Sequence, residues 1–422
     1  MRLTFAIIAL TTLSASHMSA QATEKDLARA RKILASTPLI DGHNDLAWAI
    51  REDSTAPMDV GAYDLRKRTK GHTDLERLKK GMIAGQFWSI YVPGEVETKD
   101  AGYAKTQLEQ FDIAHRFIAM YPDRLQLALS AQDVRDAFKR GKIASLLGME
   151  GGHVIENSLG ALRSYYDLGA RYLTLTHNVT LDWADAALDS ARHGGLTEFG
   201  KEVVREMNRL GMLVDLSHVS PGVMSDALDV SEAPVIFSHS DALALANVPR
   251  NVPDSILRRL EKNGGVVMVT FVPGFVSQQM ADYEHEFSES QKAARQRLGS
   301  GDHEALHREG ESWKAEHPQP QVTLSQVADH IEYMRKVAGV DHIGLGGDFD
   351  GISAVIKGLE DVSTYPALFA ELVHRGWSDE DLRKLAGENI LRALSKAEEV
   401  SARLRKTRAP STKTIIQLDG KK

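Results

Sequence analysis

Short apolar, β-branched runs recur along the chain, each bounded by glycine or polar residues. Between them lie stretches with the 3.6-residue period of amphipathic helices. Eight runs read as buried strands: 38–41, 85–92, 143–149, 171–176, 212–216, 235–238, 265–271 and 342–346. Residues 161–168, 197–210 (TEFGKEVVREMNRL) and 324–338 read as helices that precede the fourth, fifth and eighth of them. Strands alternating with helices imply parallel pairing through right-handed crossovers, and eight such units imply a (β/α)8 barrel of the TIM type. The competing architecture is a doubly wound open sheet, but no G-x-G-x-x-G phosphate turn follows the first strand. Residues 277–321 are rich in Gln, Glu, Lys, Arg and His and poor in large apolar side chains. They predict solvent-exposed helices inserted between the seventh and eighth strands, where a barrel connection starts on the active-site face and can form a rim or lid.

The ends of the chain read differently. MRLTFAIIALTTLSASHMSAQATEKD has a basic Arg2, an apolar run and small residues ending in Ala20-Gln21-Ala22. That pattern predicts a signal peptide over residues 1–22, and so a periplasmic or secreted protein. The apolar run is shorter than the roughly 20 residues needed to span a bilayer. Residues 23–400 are expected to form one catalytic barrel, and 401–422 a polar C-terminal tail. KTIIQLDGKK offers no hydrophobic tail for a glycolipid, so no stable membrane anchor is expected.

Composition narrows the chemistry. The net charge is −7, without the basic stripe that nucleic-acid binding requires. The chain has 0 cysteines, which excludes thiolate metal sites, disulfides and cysteine nucleophiles. Any metal must be held by His, Asp and Glu.

Reactive side chains fall where the strands end. The first ends in Asp41-Gly42-His43-Asn44-Asp45, the third in Glu150, the fourth in His177, the fifth in His218, the sixth in His239 and the eighth in Asp348 and Asp350. In an α/β barrel all of these converge on one mouth. In an extended strand His43 and Asp45 share a face and can grip one ion. His218 and His239, from adjacent strands, can grip a second, and Glu150 has two oxygens with which to bridge both. Such a two-metal site can hold a bridging hydroxide and polarise a carbonyl. Asp41 reads as an orienting group or merely the last strand residue, and Asp350 as a possible cap. Asn44 is expected to point away, and Gly42 to let the backbone bend. His153, His193, His330 and His342 lack a strand-end argument and read as surface or supporting residues.

These segments resemble a known family. PLIDGHNDL, GMEGGH, RYLTLTHN, DLSHVS, PVIFSHS, RNVPD and GLGGDFDG are similar to motifs of the membrane (renal) dipeptidases, from about residue 37 to 394. The resemblance implies a zinc-dependent dipeptidase with two Zn2+ per chain. His43 and Asp45 would bind one zinc, His218 and His239 the other, and Glu150 both. It also implies that His177 contacts substrate and transition state, Arg250 takes the substrate carboxylate, and Asp348 handles protons. Small dipeptides, including those with a C-terminal D-residue, would be the substrates, and the protein would be a homodimer. The chain departs from animal members in lacking cysteines and an anchor signal, and residues 277–321 match no motif of the family. Two alternatives remain open at this point: an amidohydrolase acting on a cyclic amide such as a β-lactam, and a non-catalytic periplasmic barrel.

Overall fold

The computed structural model describes residues 22–94, 102–299 and 302–420. Most of the leader expected over residues 1–22 lies outside the described residues. Among the described residues there are nine strands: β1 (Leu39–Asn44), β2 (Ile83–Tyr91), β3 (Leu125–Leu127), β4 (Ile143–Glu150), β5 (Ala170–Thr174), β6 (Leu213–Asp215), β7 (Val235–Phe237), β8 (Val266–Val269) and β9 (Ile343–Leu345). Every pairing is parallel, and the ring β1-β2-β4-β5-β6-β7-β8-β9 closes through β9 onto β1. The eight expected strands are the eight staves of this (β/α)8 barrel. The sequence reading missed β3, whose Leu-Gln-Leu is too short to form an apolar run. β3 pairs with Ile143–Ser145 of β4, along the edge that β5 takes over from Leu147 onward.

Burial on both faces explains why these strands read as continuous apolar runs. Ile40, Phe87, Leu146, Tyr172, Ile236 and Met268 fill the barrel interior. Leu147, Met149, Leu173, Phe237 and Val267 face the surrounding helices. Following the inward parity of β4 through Ala144, Leu146 and Gly148 delivers Glu150 to the mouth. Gly148 is required on this path, because a Cβ there would stand 2.0 Å from the Tyr172 ring.

The helix expected over 197–210 is Glu198–Leu210. Thr197 caps it by accepting from the Gly200 amide, and Gly211 ends it in the left-handed conformation (φ 84°). The insertion forms two helices, Gln278–Leu298 and His303–Glu316, clasped by Tyr283 and Phe287 against Trp313. After the helix Asn389–Leu404 the chain returns to Glu198–Leu210. There Ser411 Oγ donates to Glu202, and the short helix Ile415–Asp419 docks with Ile415 buried. Among the described residues no helix is long and apolar enough to cross a membrane.

Candidate metal centre and substrate cleft

Local backbone geometry brings the first two donors together. The pairing of β1 with β2 is irregular between Asp41 and Asn44. Gly42 and His43 both face the interior as a result, and Asp45 follows. Gly42 is needed for close approach rather than for a bend: a Cβ there would stand 2.6 Å from both Met268 Sδ and the Ser238 carbonyl oxygen. Asn44 points away, donating to Thr73 Oγ1 at 2.8 Å. Asp41 orients no imidazole. Its Oδ1 accepts from the amides of His43 (2.8 Å) and Gly347 (3.1 Å), and its Oδ2 accepts from the Tyr365 hydroxyl, so it ties the end of β1 to that of β9. Burial pushes the Asp41 carboxyl up to about 6.

Glu150 stands at the centre of the mouth. Its Oε2 lies 3.2 Å from His43 Nε2, which is also 3.3 Å from Asp45 Oδ2. Its Oε1 lies 3.0 Å from His218 Nε2 and 3.5 Å from His239 Nε2. One carboxylate thus turns one oxygen to each of two donor pairs. Ser89 Oγ donates to Oε2 at 3.1 Å. Two more groups sit close enough to share an ion: His177 with Glu150 and His218, and Asp348 with His43 and Asp45.

The outward nitrogens of the three imidazoles are held by acceptors. His43 Nδ1 meets the Tyr172 hydroxyl at 2.9 Å, and that hydroxyl donates to the Gly42 carbonyl (3.3 Å). His218 Nδ1 meets Asn178 Oδ1 at 3.2 Å. His239 Nδ1 meets Ser238 Oγ at 2.8 Å, and Ser238 donates onward to Asp215 Oδ2 at 2.6 Å. For His218 and His239 the proton belongs on Nδ1, which leaves the Nε2 lone pair facing the mouth, whereas Tyr172, Glu150 and Asp45 overcome the cost of burial and raise the His43 pKa well above its ordinary value. His218 and His239 then oppose Nε2 to Nε2 at 2.9 Å with no proton between them. Burial holds both imidazoles well below their ordinary pKa, with the charges of Arg250 and neighbouring histidines adding to it. Neutral rings opposing lone pairs around buried carboxylates fit a cation, and His and carboxylate donors suit zinc. Burial alone would raise the Glu150 carboxyl, yet His43 and His218 hold it well below the usual range. His43 Nε2 is a buried atom with no hydrogen-bond partner among the described residues.

The same mouth opens into a cavity of about 460 Å³, walled by Trp48, Tyr91, Leu188, Phe275 and Ile352. The His177 ring sits between Tyr91 (4.8 Å) and His218 (4.3 Å). Arg250 is buried, packed 5.2 Å from the Phe275 ring, and its Nε and Nη1 have no partner among the described residues. Burial pulls its pKa down to about 10. Burial, reinforced by Asp45 and Glu150, raises the Asp348 carboxyl well above the usual range. His218 (φ 67°), Asp348 (φ 61°) and Asp350 (φ 66°), all just beyond strand ends, adopt the left-handed conformation, an uncommon choice for non-glycine residues.

The chain belongs to the membrane dipeptidase family. The sequence model of that family (peptidase family M19) matches residues 27–408. A probable dipeptidase, PvdM, from Pseudomonas aeruginosa is 24% identical, with a TM-score of 0.75 over 89% of this chain and 99% of that one. A metallo peptidase from Rhodobacter sphaeroides, liganded with a phosphinate mimic of the dipeptide L-Ala-D-Ala, is 25% identical, with a TM-score of 0.69 over 86% and 99%. A dipeptidase described as a metallo peptidase of the same family gives 25% and 0.68 over 86% and 98%. The membrane dipeptidase fold and a metallo-dipeptidase hydrolase follow.

All eight site residues read from the sequence line this one mouth. Asp350 also lines the cavity and ties its loop to the distant segment at His72, accepting from the His72 amide at 2.6 Å. Of the four unassigned histidines His153 is buried against Tyr103, and His330 and His342 are also buried rather than superficial. The latter two bond the carbonyls of Val276 (3.0 Å) and Gly265 (2.8 Å) and so brace the backbone. Sequence reasoning missed Ser89, Tyr172, Asn178, Ser238 and Asp215. Only Asp215 left a signal, as an acid inside the apolar run MLVDL.

Proposed function

We propose that the protein is a two-zinc dipeptidase that cleaves dipeptides with a free C-terminal carboxylate, D-residues at that position included. The observation that carries this reading is Glu150, which turns one oxygen to His43 and Asp45 and the other to His218 and His239. Two zinc ions bound there would supply Lewis acidity and a bridging hydroxide that is nucleophilic at neutral pH.

The protein's own groups do the rest. Arg250, buried and with Nε and Nη1 unengaged among the described residues, pairs with the substrate carboxylate and fixes the scissile bond over the mouth. His177 donates to the carbonyl oxygen as negative charge grows on it. Asp348 accepts the water's proton and passes it to the leaving amine nitrogen. Its place beside His43 and Asp45 keeps it within reach of both steps. Tolerance of a D-residue is supported by the L-Ala-D-Ala mimic bound to the Rhodobacter sphaeroides peptidase. The leader read from residues 1–22 would place this activity outside the cytoplasm.

The test measures metal content and Gly-D-Ala hydrolysis for the wild type and Arg250→Ala. We expect two zinc ions per chain in both, and a loss of about a hundredfold or more in kcat/KM for the variant, as removal of a buried charge-assisted pair implies. Full activity in Arg250→Ala sinks its carboxylate role. A metal-free wild type that still hydrolyses the peptide sinks the whole reading.

A further inference from the structure

One carboxylate in the cleft has no part in that chemistry. Glu284 lies on the inserted helix Gln278–Leu298 and lines the same cavity as Arg250 and Asp348. Its carboxyl rests against the backbone of Gly274, where an added Cβ would stand 2.1 Å from Oε2. Among the described residues no hydrogen bond or ion pair engages it. The side chain reaches solvent through the cleft, and the protein around its carboxyl raises the pKa by burial alone.

The placement is firm. Ser277 caps the helix by accepting from the Met280 amide, and the Asn247 amide donates to Gln278 Oε1 at 2.6 Å. Asn251 Nδ2 donates to the Phe275 carbonyl at 2.8 Å, which locks the segment after β8 to the loop that carries Arg250. Arg250 packs on Phe275, Phe275 follows Gly274, and Gly274 touches Glu284. The free carboxylate therefore lines the same cleft as Arg250, the group that takes the substrate's C-terminus in this reading, with Phe275 and Gly274 between them.

We propose that Glu284 selects dipeptides whose C-terminal residue bears a cationic side chain, such as lysine or a related diamino acid. The inference rests on the dipeptidase reading above and on Arg250 holding the substrate carboxylate. A lysine-length side chain is long enough to leave the metal mouth for the rim, and an ammonium there meets an anion that nothing else neutralises. The other carboxylate of the lining outside the proposed chemistry, Asp350, is engaged by the His72 amide, and Leu188 and Ile352 carry no charge.

The experiment compares kcat/KM for alanyl-lysine and for alanyl-norleucine, its uncharged near-isostere. Each enzyme sample supplies its own ratio, so the fraction of active protein cancels. We expect the wild type to favour lysine by about fivefold, the scale of one solvent-accessible ion pair, and less at high salt. Glu284→Gln should bring the ratio near one, and Glu284→Lys should lower it further and favour alanyl-glutamate. A wild-type ratio near one overturns the inference, as does a ratio that Glu284→Gln leaves unchanged. A lysine preference confined to the N-terminal position, read with lysyl-alanine, also overturns it. Cleavage without selectivity refutes this inference alone, whereas no cleavage of any of these dipeptides refutes the dipeptidase reading with it.

Discussion

Ser238 carries a single hydroxyl proton, and its two neighbours decide where that proton goes. Asp215 Oδ2 at 2.6 Å can only accept, so the hydroxyl donates there and presents its lone pair to His239 Nδ1 at 2.8 Å. The chain Asp215–Ser238–His239 thereby fixes the tautomer that offers Nε2 to a metal. Ser238→Ala removes the link without touching a donor atom. We predict a 10–100-fold rise in the zinc dissociation constant, the usual scale for groups that support a ligand, measured by competition with a chelating dye. An unchanged affinity would show that packing alone orients His239. This relay also marks the limit of what residue types convey. His43, Asp45, Glu150, His177, His218, His239 and Asp348 were legible because each reactive residue closes an apolar run. Ser89, Tyr172, Asn178 and Ser238 were not, because a Ser, Tyr or Asn beside a strand is ordinary until folding sets it against an imidazole or carboxylate. Asp41 was legible as important but not in its role, since its partners Gly347 and Tyr365 lie some three hundred residues away in sequence.

At the scale of elements, the helix Glu198–Leu210 and the C-terminal segment form one buried polar joint. Glu206 pairs with Arg209 at 2.8 Å and Arg163 at 3.0 Å and accepts from the Ser411 amide at 3.3 Å. Burial alone would raise the Glu206 carboxyl, but the two arginines and Ser411 hold it below its ordinary value of 4.5. A depressed folded-state pKa gives stabilisation that is complete above the unfolded-state value and fades as the pH falls through the folded one. Glu206→Gln leaves both guanidiniums short of a counter-charge and should cost about 3 kcal/mol at pH 7. The gap to wild type should narrow as acid protonates Glu206 in the wild type. Urea unfolding at pH 7, 5 and 3.5 checks this, and a gap that widens on acidification contradicts the assignment. Residues 401–422 read as a polar tail because the contacts of residues 405–420 are mostly polar and made to a distant helix. β3 escaped notice for a related reason: three residues show no period, and only the edge of β4 makes them a strand. The barrel staves were readable because burial on both faces leaves an unbroken apolar run.

At the scale of the whole molecule, the mouth concentrates unfavourable electrostatics that bound cations would relieve. His218 and His239 oppose their Nε2 atoms at 2.9 Å, and Asp45, Glu150 and Asp348 crowd the same volume. The unfolded chain has no such array, so metal binding stabilises only the folded state, by RT ln(1 + [metal]/Kd). At free zinc a thousandfold above Kd, each ion adds about 4 kcal/mol, and two add about 8. Unfolding entropy is about 2.1 cal/mol/K per residue, which for this chain of 422 residues is roughly 0.9 kcal/mol/K. Stripping the metal should therefore lower Tm by about 10 °C. Scanning calorimetry at one scan rate, with and without a chelator, measures the drop. Zinc should restore the Tm and magnesium should not, because imidazole nitrogens favour zinc while magnesium prefers oxygen donors and its own water. Recovery with magnesium would mean that the carboxylates alone bind the ion and that the histidines serve another purpose. No shift on chelation would mean that the folded chain tolerates opposed lone pairs unaided, which would remove the physical ground for a metal centre at the barrel mouth.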